Sequence, residues 1–337
     1  MPEGHVIGRR GRAEAGEDYL RRHAAEIEAA SARIRPYVRR TPLLTTDLDG
    51  ALRLKPECFQ RTGSFKVRGA FNAVLQLRHR RPEVPGVVAV SSGNHAQAVA
   101  LAARTTGIPA VILIPFDANP AKVAATRALG AEVIQEGVTF ENREERCRRV
   151  MAERGLELVH PFDDWDIVHG QATAAAEMLE DDPTLGTIVV PVGGGGLLSG
   201  TALAAKARNP AIRVIGVEPE VADDARRTLE TGRIQRLERA PSTLADGVRP
   251  VAVGERTFEV AVEQGLVDAI VTVSEEEIAD GVRAAWLRCK LALEPTGALP
   301  LAAFLAGRVT ADGRPVGLLL SGGNADLGLV ARLLQDR

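Results

Sequence analysis

The stretch TGSFKVRGA, residues 62–70, contains Lys66, one of only five lysines in a chain of 337 residues whose other basic side chains are almost all arginine. A lysine amine sheds its proton when partly buried and can then condense with an aldehyde, which a guanidinium does not do. Phe65 beside it supplies an apolar neighbour. The same lysine could pair with an anion or be a solvated surface cation, and spacing alone leaves these readings open. Anion chemistry is on offer in GGGGL, residues 193–197, which follows the apolar run TIVVPV, residues 187–192. Four glycines in succession leave several N–H groups free to turn toward one phosphate at a helix start. A tight strand-to-helix turn is the plainer explanation, but one or two glycines suffice for that. The spacing is not GxGxxG, and Glu218, near the distance expected for a ribose contact, is followed by Pro219, so a dinucleotide is disfavoured.

Two further turns, SSGNH (91–95) and SGGN (321–324), stand with GGGGL at the ends of apolar runs, where ligands bind in open α/β sheets. The elements that must position them alternate between short β-branched runs and helical-period segments, which predicts an α/β fold with parallel sheets. VVAV (87–90), AVILI (110–114) and AEVI (131–134) read as strands of one block, with helices over 95–106, from Pro120 through Leu129 and over 140–154. Asn119 reads as the N-cap before Pro120, and Gly107 and Gly130 as helix stops. After LELVHPF and a helix over 167–179, a second block follows: TIVVPV, a helix over 197–207, RVIGVE (213–218), and a last strand in VGLLLSGGN (316–324). Ser274 and Glu277 form a capping box for the helix carrying Trp286.

With 42 basic and 44 acidic side chains interspersed, the formal charge of −2 gives no surplus to attract nucleic acid or an anionic membrane. A small-molecule partner is expected instead. Cys58, Cys147 and Cys289 are odd in number and widely spaced, fitting reduced thiols of a cytoplasmic protein. The first residues lack the apolar stretch of a signal peptide, and no apolar run of about eighteen residues suggests a membrane span. Residues 1–25 read as a flexible lead.

TGSFKVRGA, SSGNHAQA, PVGGGGLLSG, VEPEVADDA, EPTGA and SGGN, in this order, resemble the serine/threonine dehydratase and serine racemase family of pyridoxal-5′-phosphate (PLP) enzymes, fold type II. The likeness runs from about Arg40 to Asp326. It implies two open twisted α/β domains with the cofactor in the cleft between them. A small domain over 85–158 would be inserted into a large one formed by 26–84 and 159–337, and a homodimer is the family habit. The implied reaction is α,β-elimination of water from L-serine, L-threonine or a related 3-hydroxy amino acid, giving a 2-oxo acid and ammonia. The alternatives are a serine or hydroxyaspartate racemase with side dehydratase activity, and a fold-retaining protein that binds without catalysing.

By the resemblance Lys66 holds the cofactor as an internal Schiff base and later removes the α-proton, which explains why arginine cannot stand there. Gly193, Gly194, Gly195, Gly196 and Leu197 would bind the phosphate, Asn94 the ring 3′-oxygen, and Phe65 would pack on the ring. Ser321 would meet the pyridine nitrogen; a neutral hydroxyl does not enforce protonation there, which favours elimination over transamination. Ser91, Ser92, Asn94 and His95 would surround the substrate carboxylate, with His95 shaping the loop rather than titrating. Ser92 is implied as the proton-exchanging group on the face opposite Lys66, as the racemase branch requires. Arg143 would pair an acidic β-substituent, although its charged neighbours in ENREER equally suit a solvated helix face. Glu294 would support the pyridine side or a helix start, and Asp246-Gly247 would close the site. Glu218, the Ala222 carbonyl and Asp224 would bind Mg²⁺ or Ca²⁺, since hard cations prefer oxygen ligands.

Three departures stand out. The family's GQGT is Gly170-Gln171-Ala172-Thr173 here, Lys55-Pro56-Glu57 replaces the more usual Leu-Glu pairing, and little chain follows SGGN, so feedback control by isoleucine through a regulatory domain is not expected. Sulfhydrylases and β-synthases read GSVKDR around their lysine, which this chain does not, so elimination is favoured over replacement with sulfide.

Overall fold

Residues 16–91, 93–118 and 120–335 are described by the computed structural model of the chain. The apolar runs form strands as their composition dictates: continuous Val, Ile and Leu suit a sheet covered on both faces, and every strand pair is parallel. Taken in chain order, the first elements are α1 (Glu17–Ile34), β1 (Leu52–Pro56), α2 (Lys66–Arg80), β2 (Val87–Val90), α3 (Asn94–Thr106), β3 (Ala110–Leu113), α4 (Pro120–Ala128), β4 (Glu132–Ile134), α5 (Arg143–Arg154) and β5 (Glu157–Leu158). There follow α6 (Trp165–Asp181), β6 (Thr187–Pro191), α7 (Gly196–Arg208), β7 (Arg213–Pro219), α8 (Asp224–Thr231), α9 (Glu255–Phe258), β8 (Ala269–Val273), α10 (Glu275–Leu287), α11 (Pro295–Leu305), β9 (Val316–Leu320) and α12 (Leu327–Gln335).

Two sheets result. Strands β4-β3-β2-β5 make a four-stranded sheet, and β1-β9-β6-β7-β8 a five-stranded one. They form the small and large lobes of the molecule, and the turns after β2, β6 and β9 carry the three glycine-bearing motifs. No helix among the described residues is long and apolar enough to cross a membrane.

The flexible lead expected over residues 1–25 is overturned from Glu17 on, where a helix begins; residues 1–15 lie outside the described residues. His23, Ile27, Ala30 and Ile34 recur at helical spacing and bury against α6 and α7, but they are interleaved with Arg and Glu that mask the stripe in the sequence. The 3.6-residue pattern is also hidden in α11, whose PTGALPLAAFL is apolar all round and contains Pro300, because all of it up to Ala303 is buried in the large lobe. The capping box at Ser274 and Glu277 forms as read. The expected N-cap Asn119 lies outside the described residues.

Close helix contacts set the geometry beneath Lys66. A Cβ on Gly170 would overlap Gly69, so α2 and α6 touch backbone to backbone, and Gln171 Oε1 accepts from Gly69 N at 3.2 Å. Ala172, the added methyl of the GQAT variant, is fully buried where α6 meets Gly200 of α7. Arg68, two residues past Lys66, is completely buried and forms charge-assisted bonds to Glu57 and Glu177, all near 2.8 Å; Lys55 Nζ also reaches Glu177 at 2.6 Å and the Thr41 carbonyl at 2.7 Å. Two cations against two carboxylates balance in charge, and this buried cluster pins the start of α2 to β1 and α6.

Candidate active site

Lys66 opens α2 from a loop under constraint. Thr62 sits at φ 59°, a region a β-branched residue rarely adopts, and the turn is held by the C-terminal glycine motif. Ser64 bridges Gly322, Phe65 N donates to the Ser321 carbonyl at 3.0 Å, and Gly323 N donates to the Gly63 carbonyl at 2.9 Å. SGGN therefore lies directly beside the lysine. Asn324 Nδ2 donates to the Thr62 carbonyl at 2.6 Å and to Asn94 Oδ1 at 2.7 Å, while Asn94 Nδ2 donates to Glu294 Oε1 at 2.6 Å. These bonds carry the start of α3 onto the same spot.

The Lys66 amine donates to the Pro161 carbonyl at 2.7 Å, and burial lowers its pKa to about 8. The next residue, Phe162, lies across the third glycine turn: a Cβ on Gly194 would overlap its ring, and one on Gly196 would meet its carbonyl at 2.8 Å. Gly195 takes φ 90° against Thr257, whose hydroxyl donates to the Gly194 carbonyl at 2.9 Å. With Leu197 in the first turn of α7, these glycines form a cradle at a helix N-terminus. None of the Gly193–Leu197 amides meets a protein acceptor among the described residues.

Phe65 is half-buried, with the Lys66 amine 5.2 Å from its ring centroid, and Ser321 is buried next to it. Ser91 Oγ accepts from Gly93 N at 3.2 Å, whereas Ser92 lies outside the described residues. His95 is buried, with Nε2 bonded to the Val159 carbonyl at 2.8 Å; burial, and then the charge of Lys66, bring its pKa to about 3, so its ring is neutral. Gly247 N donates to Thr296 Oγ1 at 2.9 Å, which ties the LADGV turn to the start of α11. Arg143, at the start of α5, is partly buried and stacks on Phe140 with its guanidinium carbon 3.4 Å from the ring centroid, so it is no free solvated face. Burial lowers its pKa, opposed by Glu144 and aided by Arg249.

The metal candidates stand apart from this cluster, at the end of β7. Glu218 accepts from Ala225 N at 3.2 Å and Arg226 N at 2.8 Å, Ala222 lies in the connecting turn, and Asp224 Oδ2 is buried without a partner. Burial raises the Glu218 pKa well above the carboxylate range and that of Asp224 to about 7.

Sequence reasoning missed Pro161, Phe162 and Thr257, which join the lysine to the glycine cradle, and left Asn324 and Lys122 without roles. HPF and the N of SGGN were visible signals; nothing local marks Thr257.

A half-buried amine of lowered pKa, set between a helix-end glycine cradle and a second glycine turn in an α/β fold of parallel sheets, has the chemistry to take up a phosphorylated aldehyde. The chain belongs to the pyridoxal-phosphate dependent enzyme family, whose profile matches residues 34–322. It is 42% identical to a serine racemase of Oryza sativa subsp. indica over 328 residues, covering 94% of this chain and 95% of that protein. It is equally 42% identical to an L-threo-3-hydroxyaspartate ammonia-lyase of Saccharomyces cerevisiae over 317 residues, 93% of this chain and 96% of that one. The crystal structure of a T.th. threonine deaminase superimposes with a TM-score of 0.84 at 50% identity, over 90% of this chain and 98% of that one.

Proposed function

We propose that the chain is a PLP-dependent ammonia-lyase that eliminates the β-hydroxyl as water from a 3-hydroxy amino acid, L-serine, L-threonine or 3-hydroxyaspartate. Hydrolysis of the resulting enamine takes one water up again, so the net products are a 2-oxo acid and ammonia. The observation that carries this reading is the Lys66 amine beside the Pro161 carbonyl, with a pKa of about 8 and the glycine cradle on the far side of Phe162. The residues fit the cofactor: the cradle has space only for backbone, and its amides are unengaged by protein. When bound, PLP supplies an aldehyde for covalent attachment to the lysine and an electron-poor ring that acidifies the substrate Cα–H.

The chain's own residues divide the remaining work. Gly193–Leu197 would hold the phosphate by N–H groups, aided by the positive end of α7. Ser321 would meet the pyridine nitrogen as a neutral hydroxyl, and Phe65 would pack on the ring. Asn94 keeps one amide hydrogen for the ring oxygen while the other is committed to Glu294. The turn 91–95 binds the substrate carboxylate through backbone N–H groups. The Lys66 amine takes the Cα proton; a pKa of about 8 leaves a useful neutral fraction near neutrality. Arg143 stands ready for an acidic β-substituent.

Racemisation is the second reading, favoured by the relatedness to a serine racemase. It needs a proton donor opposite Lys66, the role assigned to Ser92, and fails if the protein forms no D-serine from L-serine. The metal reading rests on the orphaned Asp224 oxygen beside a desolvated Glu218; with the Ala222 carbonyl these would hold Mg²⁺ or Ca²⁺. A homodimer, a cytoplasmic location and a small domain over 85–158 complete the proposal.

Borohydride reduction of the cofactor-saturated protein, followed by peptide mass mapping, tests the core. The expected pyridoxyl adduct lies on Lys66, and an adduct elsewhere, or none, overturns the reading.

A further inference from the structure

Lys122 is unused by the mechanism above, yet it reaches from the small lobe to the LADGV turn of the large one. It stands in the first turn of α4 with its side chain 19% exposed, and its Nζ is in direct ion-pair contact with Asp246 Oδ2 of the LADGV turn. Burial works against its charge, but Asp246, then Glu294 and Asp326, outweigh it and raise its pKa above the ordinary lysine value. All three carboxylates belong to the large lobe.

The same turn is gripped a second time. Phe140, in the loop leading to α5, carries the guanidinium of Arg143 at 3.4 Å from its ring centroid, and that of Arg249 lies 5.6 Å from the same centroid. Residues 246–249 thus meet the small lobe at both ends. They are also fastened to the chemistry on the large-lobe side. Gly247 N is bonded to Thr296 Oγ1 at 2.9 Å, and a Cβ on Gly193 would stand 3.0 Å from Val248 Cα. A shift of this turn therefore moves against both the start of α11, which carries Glu294, and the phosphate cradle.

We infer that Lys122 is a positioning residue whose ion pair with Asp246 latches the small lobe onto the large one over bound substrate. The latch brings the 91–95 turn and Asn94 into register with Lys66, and this inference rests on the ammonia-lyase reading. Substrate supplies the remaining closing free energy, so the latch sets how much substrate is needed rather than how fast the closed enzyme turns over.

The experiment uses the cofactor-loaded enzyme with L-serine and L-threonine. Lys122→Met and Asp246→Asn should each raise KM roughly fivefold while kcat stays within about twofold, the scale of one partly exposed ion pair. Lys122→Arg should keep the KM, and exchanging the two charges, Lys122→Asp with Asp246→Lys, should recover most of it. X-ray solution scattering should show both single variants more extended than the parent without substrate and converging on it at saturation. Unchanged KM and scattering in both single variants, or a collapse of kcat at constant KM, overturns the latch. If the unaltered protein never develops the cofactor's visible band, the functional reading fails instead; the substrate-free scattering comparison still decides the latch.

Discussion

Asn94 and Glu294 meet where the two lobes face each other: the Asn94 amide donates to Glu294 Oε1 at 2.6 Å, and its own Oδ1 accepts from Asn324 at 2.7 Å. Gly322 makes room for this, since a Cβ there would stand 2.6 Å from Glu294 Oε1 and 3.3 Å from Asn94 Nδ2. The residue proposed to orient a cofactor oxygen is therefore held from both ends by the large lobe. The rigidity has a cost: Glu294 is deeply buried, and burial, reinforced by Asp246 and opposed by Lys122 and the Asn94 bond, raises its pKa to about 7.

That shift predicts a pH dependence. The folded protein keeps a proton on Glu294 that the unfolded chain releases near pH 4.5, so this residue's contribution to stability falls as pH rises from about 4.5 to 7 and stays low above. Glu294→Gln retains an acceptor for Asn94 but has no charge to bury. It should match the parent at pH 5.5 and exceed it at pH 8, by on the order of 1–2 kcal/mol. Thermal unfolding at both values checks this, and an equal difference at the two pH values would count against it.

The phosphate cradle makes a steric prediction. Gly195 sits at φ 90°, and a side chain there would overlap Thr257. Gly195→Ala should cost about 1–2 kcal/mol from backbone strain alone and rotate the amides away from a common focus. The expected outcome is a folded protein whose cofactor-to-protein ratio after gel filtration drops severalfold, with Lys66 still able to form the adduct at high PLP. Full retention of cofactor would mean the anion is held elsewhere.

The contrast between what the chain discloses locally and what it does not follows chain distance. Lys66, the glycine run and SGGN each stand out within a few residues, although only the resemblance of the ordered motifs gave them roles, and VVAV or TIVVPV need only an apolar β-branched run to become buried strands. The partner of Lys66 at Pro161 lies 95 residues away, that of Gly194 at Thr257 lies 63 away, and Lys122 meets Asp246 across 124. Such pairs depend on how two sheets are placed against each other, which no window of sequence encodes. α1 was hidden for a different reason: four buried positions sit among charged residues that dominate the local average.

Metal binding should show as a pH-dependent gain. Burial holds protons on both Glu218 and Asp224, the latter to about pH 7, and a cation binding there must displace them. Millimolar Mg²⁺ should therefore raise Tm more at pH 8 than at pH 6, with a gain of about 2–3 kcal/mol if the ion is present at some hundredfold over its Kd. Asp224→Asn should abolish the response. Equal Tm with Mg²⁺ and with chelator at pH 8 removes the metal from the proposal.

The docking of α1 supplies a sensitivity to acid. His23 Nδ1 and His169 Nε2 are 2.8 Å apart and buried, so one ring donates and the other accepts; Tyr19 and Trp165 close over them with centroids 4.4 and 4.6 Å from His23. A second proton would set donor against donor in a site whose nearby charges include Arg22 and Arg33. Burial first, then Arg22 for His23, and for His169 the His23 ring followed by Arg33, bring the pKa of each histidine to about 4. The folded pair thus refuses protons that the unfolded chain accepts below about pH 6.5, and the sign is fixed: stability is lost as pH falls from 6.5 toward 4. Each pKa unit corresponds to about 1.4 kcal/mol, so each ring accounts for on the order of 3 kcal/mol over that window, and the coupled pair for no more than about twice that. His169→Leu alone leaves a buried ring nitrogen unpaired and should destabilise at every pH by about 1–3 kcal/mol. His23→Phe with His169→Leu removes both titrating rings, so the double variant should lose less Tm than the parent between pH 7.5 and pH 5. If parent and double variant lose Tm in parallel, the acid sensitivity lies in other groups and the pair serves only to pack α1 onto α6.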